Sequence, residues 1–428
     1  MKRRLVYDAA HEVECETENL SLPSAENCQI DYEPTHFLRC HSRKNDPADV
    51  QTQVWQCAFE PNRDDPKKTT NIVATCGGNI ICFINVKTGE VTEKFISKDI
   101  REMFYSIAWT TLFVDLVDPP QMNILAAGGA RGTLHLIHPE DGIAFFEHQI
   151  MRSKTVTISS LLFHPKQCNI LFCAMSDGHV TGWDIGSPSP PDYKMQLNHL
   201  LTLEARLEIF NLVYSLQGDV LMAACSTGVC GWIVTRDTLQ KKNEGLPMLK
   251  FQFPRKHVQD TSEPQLVDSL HVVQDGIIAT KCALHGVIYL WDLMATLSAR
   301  DGEEIIAVTP IHVLSWSNTD NYFMNIGCHP VAGLLACGDD RGALWLYSLS
   351  EAMQTEEHET KVQPLAILEW PDITDLNLDR NRKLRLDVYD IVVDGVAINC
   401  TGKYLVAVTS NNMVCIWKRV EQTGSLKK

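Results

Sequence analysis

Ten residues in the middle of the chain, Ser176-Asp177-Gly178-His179-Val180-Thr181-Gly182-Trp183-Asp184-Ile185, constrain the fold more than any other stretch. Asp177-Gly178 supplies a tight polar turn. The residues after it alternate like a strand and end on a bulky aromatic followed by an acid. Six weaker copies recur, and the residues at the Trp183 position are Ile84, Ile137, Trp183, Trp232, Trp291, Tyr347 and Trp417. Each copy is preceded by a small-residue apolar strand, and that by a further strand, as in 55–59 and 72–76 ahead of 80–86. Self-similarity on this scale means that each unit buries its apolar face against the next.

A turn followed by a strand that ends on Trp-Asp, after two earlier strands, is the pattern of a WD-repeat propeller blade of ~40–45 residues. The copies here lie further apart, so the blades carry loop insertions, and the Trp-Asp pair survives only at Trp183-Asp184 and Trp291-Asp292. The sequence therefore predicts an all-β fold, a seven-bladed WD-repeat β-propeller. Each repeat gives three strands, and 200–203, 249–253, 313–316 and 365–370 are candidates for a fourth, outer strand. Residues 37–41 are placed to close the ring from the N-terminal side, which removes the free sheet edges that invite aggregation.

On this reading residues 1–34 are a disordered acidic tail, 35–420 the propeller and 421–428 a C-terminal tail. Segments 115–121, 187–192, 241–264, 299–304, 351–363 and 372–387 read as polar surface loops. The basic cluster Arg380, Arg382, Lys383 and Arg385 reads as a solvated part of the last of them.

Composition narrows the function. With 38 Lys and Arg against 53 Asp and Glu, the formal charge is −15. That excludes broad nucleic-acid binding by phosphate neutralisation and suits a partner with a basic tail. The fifteen cysteines form no Cys-x-x-Cys pair, and Cys76, Cys82, Cys173, Cys225, Cys337 and Cys415 sit in apolar runs. They read as buried, reduced thiols of an intracellular protein. No apolar segment follows Lys2-Arg3-Arg4 as in a signal peptide, and no run approaches the ~20 apolar residues of a membrane span. A soluble nuclear or cytosolic protein is expected.

Catalytic motifs are absent. There is no Gly-x-x-x-x-Gly-Lys loop and no His-Glu-x-x-His helix. Ser226, in Ala224-Cys225-Ser226-Thr227-Gly228, falls where other repeats have their turn, so no nucleophile elbow is expected. His135 and His138 have an odd separation on one strand and point to opposite faces, against a shared metal. His164 and His329 each precede Pro and end a strand. The expectation is a protein that is not an enzyme and uses no cofactor or metal.

The aromatic residues are more informative. In a propeller the innermost strand of each blade begins at one mouth of the central channel. Three of these beginnings are unusually aromatic: Trp55 in unit one, Phe104-Tyr105 in unit two and Tyr322-Phe323 in unit six. Rings from these blades are placed to converge across the channel. Converging ring faces attract a cation at roughly 0.5–2 kcal/mol per contact, and a methylated lysine leaves water more readily than an ammonium.

Two resemblances extend this reading. His36-Phe37-Leu38-Arg39-Cys40-His41-Ser42, Gln53-Val54-Trp55-Gln56-Cys57-Ala58-Phe59-Glu60-Pro61 and Val73-Ala74-Thr75-Cys76-Gly77-Gly78 resemble the leucine-rich-repeat and WD-repeat-containing family that associates with the origin recognition complex. The likeness runs from Thr35 to Val420 and includes Leu200-Leu201-Thr202-Leu203, Cys337-Gly338-Asp339-Asp340 and Ile416-Trp417. That family carries leucine-rich repeats ahead of its propeller, and no Leu-x-x-Leu-x-Leu ladder fits into 1–34, so a fragment, an isoform or a divergent lineage is expected. The resemblance implies a nuclear chromatin scaffold in heterochromatin that holds origin recognition complex subunits and replication-licensing proteins. It implies histone tails with repressive lysine trimethylation as partners; from charge and apolar content, no sequence-specific DNA binding and no membrane are expected.

Phe104-Tyr105-Ser106-Ile107-Ala108-Trp109 and Tyr322-Phe323-Met324 also resemble the embryonic ectoderm development subunit of the Polycomb repressive complex. That resemblance implies a trimethyl-lysine cage at Trp55, Tyr105 and Phe323, with Tyr322 beside it. The alternatives are an interaction scaffold without a peptide pocket, a Polycomb-like methyltransferase-complex subunit and, ranked last, a ubiquitin-ligase receptor. Such receptors carry Trp-Asp-x-Arg, whereas Trp183-Asp184-Ile185-Gly186 and Trp291-Asp292-Leu293-Met294 lack the Arg.

Overall fold

Each apolar, β-branched repeat pairs into its own antiparallel sheet. The computed structural model describes residues 30–420 except 43–45, 47, 115–119, 152–154, 189–194, 242–244, 255–264, 275, 301–303, 355–360 and 371–390. The tails 1–29 and 421–428 and the basic cluster Arg380–Arg385 lie outside the described residues.

Blade one pairs Val54–Pro61, Thr69–Gly77, Ile80–Asn85 and Glu90–Ile96; blade two pairs Phe104–Phe113, Gln121–Gly129, Thr133–His138 and Ile143–Gln149. Blade three holds Ile158–Phe163, Ile170–Met175, His179–Asp184 and Asn198–Glu204. Blade four holds Ile209–Ser215, Val220–Cys225, Gly228–Ile233 and Leu249–Gln252, and blade five Val267–Gln274, Ile277–Cys282, Val287–Asp292 and His312–Ser315. Blade six holds Gly327–His329, Leu334–Gly338, Leu344–Ser348 and Ala366–Leu368. Blade seven joins Val393–Ile398, Tyr404–Thr409 and Val414–Arg419 to the N-terminal strand Tyr32–Leu38. The innermost strands touch their neighbours in a closed cycle, from blade one round to blade seven and back.

Register explains why the repeat is visible in the sequence. In every blade the residue at the Trp183 position faces an aliphatic residue of the second strand: Val73 faces Ile84, Leu125 Ile137, Leu171 Trp183, Leu221 Trp232, Ile278 Trp291, Leu335 Tyr347 and Leu405 Trp417. The core is correspondingly divided. Each of the seven buried hydrophobic clusters lies between two adjacent blades, so ring closure and core formation are one event.

Four expectations need correction. First, the closing strand runs Tyr32–Leu38 rather than 37–41, pairing from Tyr32 with Arg419 to Leu38 with Val414, so order begins within the segment assigned to the tail. Residues 39–42 leave the sheet because their polar groups find side-chain partners: the His41 amide donates to Asn412 Oδ1 at 3.2 Å, and Asn412 Nδ2 to Ser42 Oγ at 2.9 Å. Second, Trp183, in the most motif-like copy, is half-buried, whereas Trp291 is fully enclosed.

Third, blade four gains a fifth strand, Ile305–Ala307, parallel to Leu249–Gln252, just after the expected loop 299–304. Fourth, blade six does not begin its innermost strand at Tyr322; only Gly327–His329 pairs. Among the described residues three short α-helices, Arg236–Gln240, Leu293–Ser298 and Leu349–Gln354, lie between blades or strands. Asp292 of the second Trp-Asp pair caps one of them, accepting from the Ala295 amide at 2.8 Å. Among the described residues no helix is long and apolar enough to cross a membrane.

Candidate functional site

In six of the seven innermost strands, pairing with the second strand skips the second residue. The skipped residues are Trp55, Tyr105, Ser159, Phe210, Asp268 and Asp394. A bulge of this kind re-aims one side chain out of the ladder. The residue after it then ties the ring together. Gln56 Oε1 accepts from the Ile107 amide at 2.8 Å, Ser106 Oγ from Leu161 at 2.9 Å and Ser160 Oγ from Leu212 at 3.1 Å. Asn211 Oδ1 accepts from Leu270 at 3.0 Å and Ser269 Oγ from Ile326 at 2.9 Å. Blade seven has Gly395 at this position, where a Cβ would sit 3.2 Å from the Trp55 carbonyl oxygen. Bulge and tie together hold the mouth's side chains on a rigid rim.

The rim brings the expected aromatics together. Trp55 and Tyr105 meet with ring centroids 5.2 Å apart at 83°, and Trp55 and Phe323 at 6.1 Å and 88°. Near-perpendicular rings are the adjoining walls of a box rather than a stack. Phe323 and Tyr322 lie 4.7 Å apart. Trp55, Tyr105 and Phe323 are half-buried and Tyr322 is exposed, so the box opens to solvent.

Sequence reasoning missed Phe210. Its ring lies 5.0 Å from Phe323 at 89° and 6.1 Å from Tyr322, from blade four across the channel to blade six. Phe210 follows Ile209 as Tyr105 follows Phe104, each the skipped residue of its strand, and only the strand pairing reveals the likeness.

Phe323 owes its position to its neighbours. It has φ 70°, the left-handed region that a phenylalanine rarely adopts. The amides after it are taken by the flanking blades: Met324 by Asp268 Oδ2 at 3.3 Å and Asn325 by the Asp394 carbonyl at 2.8 Å. The donors of this segment therefore go sideways rather than into blade six's own sheet, which is why the strand starts late. Asp268 in turn forms a fully buried ion pair with Lys281 Nζ at 2.6 Å, and Gln53 Nε2 donates to Asp394 Oδ1 at 2.9 Å. Burial pushes both carboxyls above their usual range, with Lys281 pulling Asp268 back and Gln53 pulling Asp394 back.

Glu102 stands behind Tyr105. Burial pushes its carboxyl up to about 7, opposed by the Arg131 and Met103 amides that it accepts. Burial also raises the Tyr105 phenol, and Glu102 adds to that. The folded chain therefore holds a proton that an unfolded glutamate, titrating near 4.3, releases. The stability from it is full below the unfolded value and is lost as pH rises through the folded one. Glu102→Gln keeps an oxygen for both amides. It is expected to raise the melting temperature by a few degrees near pH 8 and to change it little near pH 4, as read by scanning calorimetry.

The positions set aside in the sequence make local contacts. His164 Nδ1 accepts the Lys166 and Gln167 amides, each at 3.1 Å. His135 packs between Phe95 and Phe104 at 5.6 and 5.3 Å, and burial lowers it to about 4. Ser226 is followed by the strand Gly228–Ile233 and not by a helix.

Seven sheets in a closed ring, six of four strands and one of five, with the repeat ending at the Trp183 position, define a WD-repeat β-propeller. The family model described as "Leucine-rich repeat and WD repeat-containing protein 1, WD domain" matches residues 24–420, and the chain belongs to that family. Leucine-rich repeat and WD repeat-containing protein 1 of Mus musculus is 35% identical over 90% of this chain and 58% of its own length. The Homo sapiens protein of that name is 34% identical over 91% and 58%, and the Danio rerio one 34% over 90% and 50%. The chain thus spans between half and three-fifths of these relatives. A chain in the solved structure of a humanized mutant of the Chaetomium thermophilum Polycomb Repressive Complex 2 superposes with TM-score 0.62, covering 91% of this chain and 97% of that one. At 11% identity that likeness bears on the fold alone.

Proposed function

We propose that this chain is a non-catalytic chromatin scaffold whose aromatic mouth binds trimethyl-lysine in histone tails that carry repressive marks. Its remaining surface holds origin recognition complex subunits and replication-licensing proteins on heterochromatin in the nucleus. The observation that carries the reading is the open box in which Trp55 meets Tyr105 and Phe323 nearly at right angles. A trimethylammonium group fits such walls because it gives up little hydration on entering and keeps the full cation–π attraction. The net charge of −15 adds long-range attraction for a basic tail.

Calorimetry with trimethylated and unmethylated histone peptides tests the reading. Wild type is expected to bind only the methylated form, and Phe323→Ala to weaken binding by about tenfold, the loss of one cation–π contact. Equal binding of both peptides, or of neither, by folded wild type sinks the reader assignment. Intact recruitment to chromatin after alanine replacement of Trp55, Tyr105 and Phe323 would instead favour a scaffold that acts through blade edges.

A further inference from the structure

We infer that Cys40, His41 and Cys82 form a zinc site that clasps the N-terminal segment to blade one. One ligand atom from each of the three lies within 4.8 Å of the other two, and all three residues are buried. Cys40 and His41 follow the closing strand, while Cys82 sits in the third strand of blade one, directly opposite Thr75. The cluster thus joins the segment that leaves blade seven's closing strand to blade one.

The surroundings suit a metal. Both imidazole nitrogens of His41 have an oxygen at hand: Ile80 O is 3.2 Å from Nδ1, and Thr75 Oγ1 is 2.8 Å from Nε2. Whichever nitrogen takes the metal, the other keeps an oxygen to donate to, which is how metal-bound imidazoles are usually oriented. The Cys40 carbonyl accepts from Lys94 Nζ at 2.9 Å, and the His41 amide donates to Asn412 Oδ1 at 3.2 Å; the Cys82 thiol, which donates to that carbonyl at 3.4 Å, gives up its proton on binding the metal. Neither cysteine is in a disulfide.

A tetrahedral zinc with bonds of roughly 2.3 Å to sulfur and 2.0–2.1 Å to nitrogen holds its ligand atoms a little under 4 Å apart, so the cluster reaches that geometry by small side-chain rotations. Two thiolates balance the charge of the dication, and two sulfurs with one imidazole select zinc over magnesium or calcium. The site also bears on the mouth, because Thr75 and Cys76 pair with Cys57 and Gln56, next to Trp55. It does not depend on what the mouth binds.

Elemental analysis of the full chain, purified without chelator, is expected to find about one equivalent of zinc. Cys82→Ser and Cys40→Ser are expected to lose it, while Cys225→Ser, a buried cysteine elsewhere, keeps it. In chelator-stripped wild type, added cobalt(II) is expected to give a thiolate-to-cobalt charge-transfer band, and added zinc to raise the melting temperature by several degrees. Folded wild type that holds no zinc and shows no cobalt band, or one that carries a Cys40–Cys82 disulfide, overturns the assignment whether or not the variants fold.

Discussion

Lys281→Met is expected to destabilise the propeller by about 3–5 kcal/mol, the usual cost of stripping one partner from a buried ion pair. The Lys281 and Asp268 side chains are both fully enclosed, with Nζ 2.6 Å from Oδ2 and 4.5 Å from the centre of the Trp316 ring. Without the ammonium, the Asp268 carboxylate stays buried with the Met324 amide as its side-chain oxygens' remaining donor among the contacts described, since Oδ1 has none. Its carboxyl, already pushed up by burial, then takes up a proton, or the segment opens. Asp268→Asn alone is expected to be as harmful, leaving a lysine charge against one aromatic face. The double variant Asp268→Asn, Lys281→Met keeps an oxygen for Met324 and removes both charges, so most of the loss returns. Guanidinium unfolding of the four proteins gives the coupling. A coupling below about 0.5 kcal/mol would show the pair to be independent groups. Because Asp268 also holds the amide next to Phe323, each single variant is expected to weaken cation binding at the mouth even where the fold survives.

The blades were legible because one position in each repeat must fill the space against the next sheet, and bulky residues recur there from Ile84 to Trp417. Half of the mouth was legible for a related reason. Trp55 and Tyr105 stand at strand starts where a buried aliphatic would suffice. Phe210 was not, since a phenylalanine in an apolar strand is ordinary packing until the bulge beside it is known. Tyr322 and Phe323 could be named but not shaped. Their backbone is set by Asp268 and Asp394, which lie on two other blades. The same limit applies to Cys40, His41 and Cys82: nothing in their spacing signals a cluster, and the ring brings them together. The closing strand was misplaced because His36-Phe37-Leu38 alternates into residues whose donors turn out to face Asn412.

The two surviving Trp-Asp pairs offer a sharper test of what that motif signifies. Trp291→Ala is expected to cost about 3–5 kcal/mol, and Trp183→Ala about 1–2 kcal/mol, although the motif ranks them equally. Trp291 is fully enclosed between blades four and five, with Phe251 and Phe253 at 5.3 and 5.8 Å, and its Nε1 donates to buried Thr280 Oγ1 at 2.8 Å. Alanine there leaves a cavity that two sheets cannot close, because their register is fixed on both sides. Trp183 is half-buried, with His199 and His148 at 5.0 and 5.8 Å, and water can replace much of what its ring contacts. Its Asp184 acts locally, accepting from Asn169 Nδ2 at 2.7 Å and the Gly186 amide at 2.8 Å. Trp291→Phe separates volume from hydrogen bonding. It refills most of the space but leaves Thr280 without its donor, for an expected loss of about 1–3 kcal/mol. Equal midpoint shifts for Trp183→Ala and Trp291→Ala in chemical unfolding would mean that the motif, and not the enclosure of the ring, sets the contribution of a blade.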